Sequence, residues 1–303
     1  MPDTSISRDS RTALASLFFA EILISSVGVF VHESGQDAMT AVFYRCLFGG
    51  LFLLIWGLAR GHLQGLLQDR ALIRGAILSG VLLVLNWVCL FAGMARSSIG
   101  VATMVYHFFP FVMLLLAALV QGERTRPMDL MWTLVGFVGV ACAADPVRMW
   151  HNVDTSYLVG IALAFLAALL CGTSLLMSRQ IGKQRPFALA MIQCWVGVLM
   201  LGWFSSASVL HWGTHWLWLA GLGVIHSGIV YVLFYSSYPR LPVVTIAVMA
   251  FVYPLMTLLL DYVLYGHRLV VLQMLGLVLI LLGTLGVNLK WTLGSARESN
   301  ACA

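Results

Sequence analysis

Apolar and polar positions alternate in long blocks along this chain, and the blocks have the length of a bilayer crossing. Ten apolar runs, bounded by Gly, Pro and charged residues, lie near 13–32, 38–58, 72–93, 99–120, 128–144, 157–178, 187–206, 215–237, 241–263 and 270–289. At 1.5 Å per residue, about 20 apolar residues in helical form cross a ~30 Å hydrocarbon core. The pattern predicts an all-α, polytopic membrane protein of ten transmembrane helices with very short third-to-fourth and eighth-to-ninth connections. Two runs carry an interruption. Residues 97–124 read SSIGVATMVYHFFPFVMLLLAALVQGER, with Pro110 near the middle, and residues 241–268 read LPVVTIAVMAFVYPLMTLLLDYVLYGHR, with Pro254 in the same place. Proline removes a backbone hydrogen bond, and lipid supplies no replacement, so such a break belongs where protein or a wet cavity covers it.

Composition agrees with the pattern: 61% of the residues are hydrophobic and 10% charged, with a mean hydropathy of +0.94. A soluble domain has a charged fraction nearer a quarter. The six cysteines, Cys46, Cys89, Cys142, Cys171, Cys194 and Cys302, form no C-x-x-C pair and sit mostly in apolar runs, which argues for packing rather than disulfides or zinc. Arg8 and Arg11 ahead of an apolar run imitate a signal peptide. Glu21 and the length of the run favour a first membrane helix instead.

The net charge of +5 changes the picture only through its distribution. With the N-terminus inside, Arg8, Arg11, Arg60, Arg70, Arg74, Arg124, Arg126, Arg179, Lys183, Arg185, Arg240, Lys290 and Arg297 fall on one side, and only Arg96, Arg148 and Arg268 on the other. Short positively charged loops stay cytoplasmic, so both termini are expected in the cytoplasm of a cell with this protein in its inner (plasma) membrane.

The two interrupted runs are related by a shift of 144 residues. That shift pairs Arg96 with Arg240, Pro110 with Pro254, Leu114, Leu115 and Leu116 with Leu258, Leu259 and Leu260, Gly122 with Gly266, and Arg124 with Arg268. Residues 1–150 and 151–303 are therefore expected to be two five-helix repeats. An odd number of spans per repeat turns the second copy upside down, a plan recurrent in secondary transporters with midplane binding sites.

The paired halves, Arg45 in FYRCLFGGLFLL, and the two interrupted patterns resemble the drug/metabolite transporter superfamily and, within it, the ten-helix EamA-type exporters. The likeness runs over residues 12–290. It implies export of amino acids, metabolites or drugs by exchange, proton coupling or facilitated diffusion. Gly266-His267-Arg268 departs from the acidic ending that Gly122-Glu123-Arg124 retains.

An ionisable residue inside a span is a functional-site candidate, because its charge costs several kcal/mol in hydrocarbon. Glu21 falls about 13 Å deep, near the midplane, and shares an i, i+4, i+7 face with Ser25 and Gly28. It could accept a proton or an amine, or pair with Arg45, which enters from the opposite surface to a depth of about 10 Å. Arg45 in turn could anchor helices or touch substrate. His107 and His226 could switch with protonation, bind a carboxylate, or hydrogen-bond broken backbone. Asn86 and Gln193 could orient a substrate or join helices. Trp87, Tyr106, Tyr231, Tyr235 and Tyr253 could line an aromatic cavity suited to amphipathic amino acids or organic cations, or simply pack, as could Tyr238. Pro110 and Pro254 are the expected hinges. Trp212, Trp216 and Trp218 read as an interfacial belt, and Asp261 as a solvated helix end.

His32-Glu33 lacks a zincin histidine, and no G-x-S-x-G elbow or phosphate loop occurs. His211 and His215 have metal-ligand spacing in an expected loop, a weak signal for metal. The expectation is a non-enzyme with no cofactor and no metal: a secondary transmembrane exporter of small metabolites, amino acids or related amphipathic compounds, working by alternating access. A multidrug exporter of lipophilic cations is the alternative, with a membrane-embedded enzyme behind it. Its partners would be a small-molecule substrate and the lipid bilayer, with protons and a homodimer left open and no nucleic acid.

Overall fold

The computed structural model describes residues 8–97, 99–143, 154–183, 185–204, 213–265 and 270–291. Among them there is helix and turn but no strand: α1 (Arg8–Ile24), α2 (Val27–Ser34), α3 (Ala38–Ala59), α4 (Arg70–Arg96), α5 (Ile99–Tyr106), α6 (Phe109–Gln121), α7 (Pro127–Ala143), α8 (Thr155–Ile181), α9 (Pro186–Leu201), α10 (His215–Gly221), α11 (Val230–Ser237), α12 (Val243–Met249), α13 (Val252–Tyr265) and α14 (Val271–Asn288). A π-helical segment, Leu222–Ile229, joins α10 to α11. Eight helical stretches are long and apolar enough to cross a membrane, and Pro127–Ala143 and Pro186–Leu201 are shorter apolar helices. These ten correspond in order to the ten runs of the sequence.

Local signals set the ends. Asp37 opens α3 by accepting from the backbone N–H groups of Met39 and Thr40 at 3.0 and 3.1 Å, Asp69 caps α4 through Leu72 at 3.0 Å, and Asp154 caps α8 through Tyr157 at 2.7 Å. Pro127 and Pro186 begin α7 and α9, where a missing N–H costs nothing. Gly122 closes α6 in the left-handed region at φ +66°.

Small residues let the helices approach. A methyl group added at Gly93 of α4 would stand 2.9 Å from the carbonyl oxygen of Gly160 in α8. Between α7 and α14 the contacts run antiparallel: a methyl on Gly139 would meet the Gly276 carbonyl and the Ile280 nitrogen, each at 2.7 Å, and one on Gly283 would meet the Trp132 carbonyl and the Gly136 nitrogen, each at 2.6 Å. Shifting Gly276 and Ile280 back by 144 residues gives Trp132 and Gly136, so the same contact occurs twice with the helices exchanged. This packing depends on van der Waals contact, which membrane helices use in place of a hydrophobic driving force. Buried side chains from α1, α3, α4, α6, α8, α9, α11 and α12 make one continuous core, among them Leu17, Leu53, Leu83, Met113, Leu189 and Tyr235.

Four departures from a set of straight spans matter for the site. The first span, expected as one helix, is divided by a turn at Ser25–Ser26. The fourth is divided at His107–Phe108 and the ninth at Ala250–Phe251, so the expected kinks are breaks between half-helices. Pro110 and Pro254 lie in the first turns of α6 and α13 rather than at the bend. The eighth span widens into the π segment. The seventh helix ends at Leu201, five residues short of its expected end.

Candidate functional site

At two of the breaks side chains take up the freed polar backbone. At the first, the Ser25 and Ser26 hydroxyls turn back to the carbonyls of Ile22 and Leu23 at 2.6 and 2.9 Å. Such back-bonding bends helices. The Ser25 carbonyl accepts from Thr257 of α13 at 3.2 Å. At the fourth-span break the Thr103 carbonyl accepts from both the backbone N–H and the ring Nδ1 of His107, at 3.0 and 2.6 Å. His107 is 1% exposed, so this repair is made in the interior. Its ring also lies against Tyr253, 5.4 Å between centroids, and so connects the fourth and ninth spans beside both breaks.

His226 lies in the π segment and meets the first break, with Nε2 2.9 Å from the Ser26 hydroxyl. Nδ1 is buried and unpartnered among the described residues. Within the π segment the His226 carbonyl accepts from Arg45 Nη2 at 3.2 Å, while Ser227 Oγ accepts from Arg45 Nε at 2.7 Å. The Arg45 guanidinium stacks over Trp87, 4.1 Å from the ring centroid, and is 5.9 Å from the Tyr231 ring. Trp87 and Tyr231 meet edge to face at 5.6 Å. A desolvated cation on an indole face gains about 2 kcal/mol.

Glu21 and Arg45 do not pair. They are 5% and 2% exposed, yet neither is in an ion pair among the described residues, and Glu21 makes no hydrogen bond there. Glu21 has Cys171, Tyr238 and Tyr253 within electrostatic range, and Tyr253 lies within range of Arg45 as well. The Tyr106 hydroxyl donates to Cys171 Sγ at 3.0 Å. Glu21, Arg45, Trp87, Tyr106, Tyr231 and Tyr253 are thus linked through one chain of neighbours.

Gln193 and Tyr235 lie in a separate buried network. Gln193 Nε2 donates to the Ser79 and Ser178 hydroxyls at 2.9 and 3.1 Å, and its Oε1 accepts from the Tyr235 hydroxyl at 2.5 Å. Ser174 extends the network to the Ser79 carbonyl at 2.8 Å. Asn86 belongs to neither group: it is fully buried, with both amide atoms unpartnered among the described residues. Trp216 stacks edge-on with Tyr44, and Trp218 with Phe30. His211, Trp212 and Cys302 lie outside the described residues, and no cluster of metal-ligating side chains occurs among the described ones.

Sequence reasoning counted Arg179 only as a loop charge. Its guanidinium, 14% exposed, pairs with Glu123 at 2.5 Å and bonds Gln121 at 3.0 Å, the Leu241 carbonyl at 3.0 Å and the Tyr238 carbonyl at 3.3 Å. It therefore ties the end of α6 to the start of α12 at one end of the bundle. The signal available was Arg179 in the last turn of a long helix and the polar Gln121-Gly122-Glu123 stop. A cleft of about 370 Å³ over this knot is lined by Val120, Gln121, Glu123, Arg179, Gln180, Lys183 and Pro239. None of the central charged or aromatic residues borders it.

Broken apolar spans whose bends meet around buried ionisable side chains, unpaired among the described residues, define a membrane transporter. The comparisons with known proteins place it more closely. The model of the EamA-like transporter family matches residues 11–144 and again 158–289, and the chain belongs to that family. It is 30% identical over 289 residues to an uncharacterized transporter, YxxF, of Bacillus subtilis (strain 168), covering 93% of this chain and 91% of that protein. It is 25% identical over 287 residues to an uncharacterized transporter of Archaeoglobus fulgidus, covering 92% and 97%. A solved structure titled only "Crystal structure of protein" shares the fold with a TM-score of 0.79, at 21% identity and over 92% of this chain and 99% of that one.

Proposed function

We propose that this transporter is a secondary exporter of small metabolites, amino acids or related amphipathic compounds, which works by alternating access between two inverted five-helix repeats. The observation that carries the reading is the meeting of the broken spans. The bends at Ser25–Ser26, His107–Phe108 and Ala250–Phe251 and the π segment all border Glu21, Arg45 or Tyr253. Half-helices that pivot at such points open one end of a bundle while closing the other. The antiparallel contacts of α7 with α14, repeated at a shift of 144 residues, support the inversion. Arg179 draws α6 and α12 together at one end, which on the charge count is the cytoplasmic one. The conformation described here is then closed to the cytoplasm.

Export of lipophilic cations is the second reading, favoured by the free Glu21 carboxylate among aromatic rings. The test of both is counterflow in proteoliposomes with labelled amino acids and lipophilic cations, with and without a pH gradient. Uptake of an amino acid against an internal pool supports the first reading, and uptake of cations alone supports the second. Failure of the whole panel to move would sink the assignment as an exporter of either class.

A further inference from the structure

At the end of the bundle that the charge count assigns to the cytoplasm, two clefts lie side by side. The larger, of about 370 Å³, and the smaller, of about 170 Å³, share Gln180 and Lys183 in their walls. The charges around them are not equivalent. Every nitrogen of the Arg179 guanidinium is engaged by an oxygen of the protein, and Glu123 is its ion-pair partner, so these two cancel. In the smaller cleft the Asp69 carboxylate is occupied in capping α4 through the Leu72 N–H, and Arg185 donates to the Gln64 carbonyl at 2.9 Å. Lys183 differs from all of them. It lies in the turn after α8, is exposed, and is in no ion pair among the described residues. With Arg179 and Glu123 cancelling, the larger cleft is left with one positive charge, and Lys183 carries it. Beside it, Gln121 turns its Oε1 to Arg179 and keeps its Nε2 hydrogens.

The walls narrow the choice of anion. Val120 borders the larger cleft and is 73% exposed, as is Leu119, and Leu115, one turn back along α6, is 60% exposed. In a bilayer such side chains face acyl chains, so the cleft opens sideways to lipid and endwise to the headgroup layer. Basic pockets between membrane helices take acidic headgroups, a lysine ammonium suits a phosphate oxygen, and the volume lies in the range of small-molecule sites. We propose that this cleft binds an anionic phospholipid of the adjoining leaflet. Its phosphodiester rests on Lys183 and the amides of Gln121 and Gln180, and its acyl chains run along Val120, Leu119 and Leu115. The headgroup then touches α6, α8 and the turn before α12, the elements that Arg179 joins, and holds them together from outside. None of the central residues borders this cleft, so the proposal is independent of what the protein transports.

The test is lipid binding to the purified full-length protein in detergent, by native mass spectrometry. The probes are phosphatidylglycerol, phosphatidylethanolamine and phosphatidylcholine with the same acyl chains, and glycerol 3-phosphate as a soluble competitor. Phosphatidylglycerol is expected to bind about fivefold tighter than the other two lipids, the increment that one basic side chain adds near a membrane surface. It should also raise the melting temperature more than they do. Lys183→Gln is expected to bring phosphatidylglycerol down to the affinity of phosphatidylcholine, and Lys183→Arg to keep the preference. Arg60→Gln, which removes an exposed cation stacked on Trp56, should leave the preference within twofold. Equal binding of the three lipids to the wild type overturns the proposal, as does a preference that survives Lys183→Gln or falls equally with Arg60→Gln. Tighter binding of phosphatidylethanolamine overturns it in favour of a zwitterion that reaches Glu123. Displacement of phosphatidylglycerol by millimolar glycerol 3-phosphate overturns it in favour of a soluble phosphate. A photoactivatable phosphatidylglycerol on the wild type tests the place without any variant: labelling should concentrate on residues 115–120, and labelling spread evenly over the lipid-facing helices overturns the site.

Discussion

Two buried polar groups in this protein have opposite economies of hydrogen bonding. Around Gln193, the amide, the Tyr235 phenol and the hydroxyls of Ser79 and Ser178 satisfy one another, tying α4, α8, α9 and α11 together. Around Glu21 and Arg45, two ionisable side chains are buried and left short of partners among the described residues. A satisfied network in a low-dielectric interior rigidifies what it joins. An unsatisfied charge there is costly, and it persists where a ligand, a proton or water completes it. The first group reads as scaffold and the second as site.

The largest effect expected from this contrast is at Glu21. Glu21→Gln keeps the shape and removes the charge, and a hydrogen bond to a charged group contributes about 2–3 kcal/mol, so counterflow should fall about a hundredfold. Thermal melting in detergent should stay near wild type, because no described residue loses a partner. Wild-type counterflow in the variant would move Glu21 to the scaffold. The mirror experiment is Gln193→Leu. It strands the Tyr235, Ser79 and Ser178 hydroxyls in the interior at about 1–3 kcal/mol for a group left unsatisfied, so the melting temperature should drop by several degrees. The apparent KM for the transported compound should change less than threefold. A large KM effect with unchanged melting would break the comparison from the other side.

Much of the architecture was legible in the sequence, and the reason is periodicity at the scale of the membrane. Ten apolar runs fix ten helices, and Pro110 and Pro254 mark breaks because proline leaves a chemical trace. The break at Ser25–Ser26 left none. Serines there act through hydroxyl bonds to the preceding turn, which are invisible until the backbone has bent. The π segment was equally hidden, since an extra residue in a helical turn changes neither hydropathy nor charge. Depth along the normal could be counted for Glu21 and Arg45, but rotation about each helix and lateral distance could not. A pairing allowed by their axial offset is therefore absent once Arg45 turns toward Trp87 and Ser227. The partners of Arg179 stayed hidden for a related reason: a sequence gives its height at the membrane edge, not the four oxygens that converge on it.

A smaller effect is expected at Arg179, which sharpens the contrast by asking whether one cation holds α6 to the turn before α12. Arg179→Gln removes the Glu123 pair and most of the bonds that hold α6 near Leu241. With the other five cysteines replaced by serine, Cys171 beside Tyr106 becomes the reporter, and it is 3% exposed. Its reaction with a maleimide in detergent should speed up about tenfold in the variant, corresponding to about 1.4 kcal/mol in the opening equilibrium. An unchanged rate would mean that helix packing alone keeps that end shut.

The least effect is expected at Arg240, whose pairing with Asp9 at 3.2 Å joins the first helix to the turn before α12. On a drawing it resembles the Arg179 knot, since both cations tie separate spans at the same end of the bundle. The difference is solvent: the Arg240 and Asp9 side chains are 48% and 70% exposed, against 14% for Arg179. Water and salt screen an exposed pair, and ordering two side chains offsets most of what remains. Arg240→Gln should therefore leave the melting temperature within about 2 °C and the Cys171 labelling rate within twofold. A change as large as that in Arg179→Gln would show that charge at this membrane surface, rather than the burial of one guanidinium, holds the end closed.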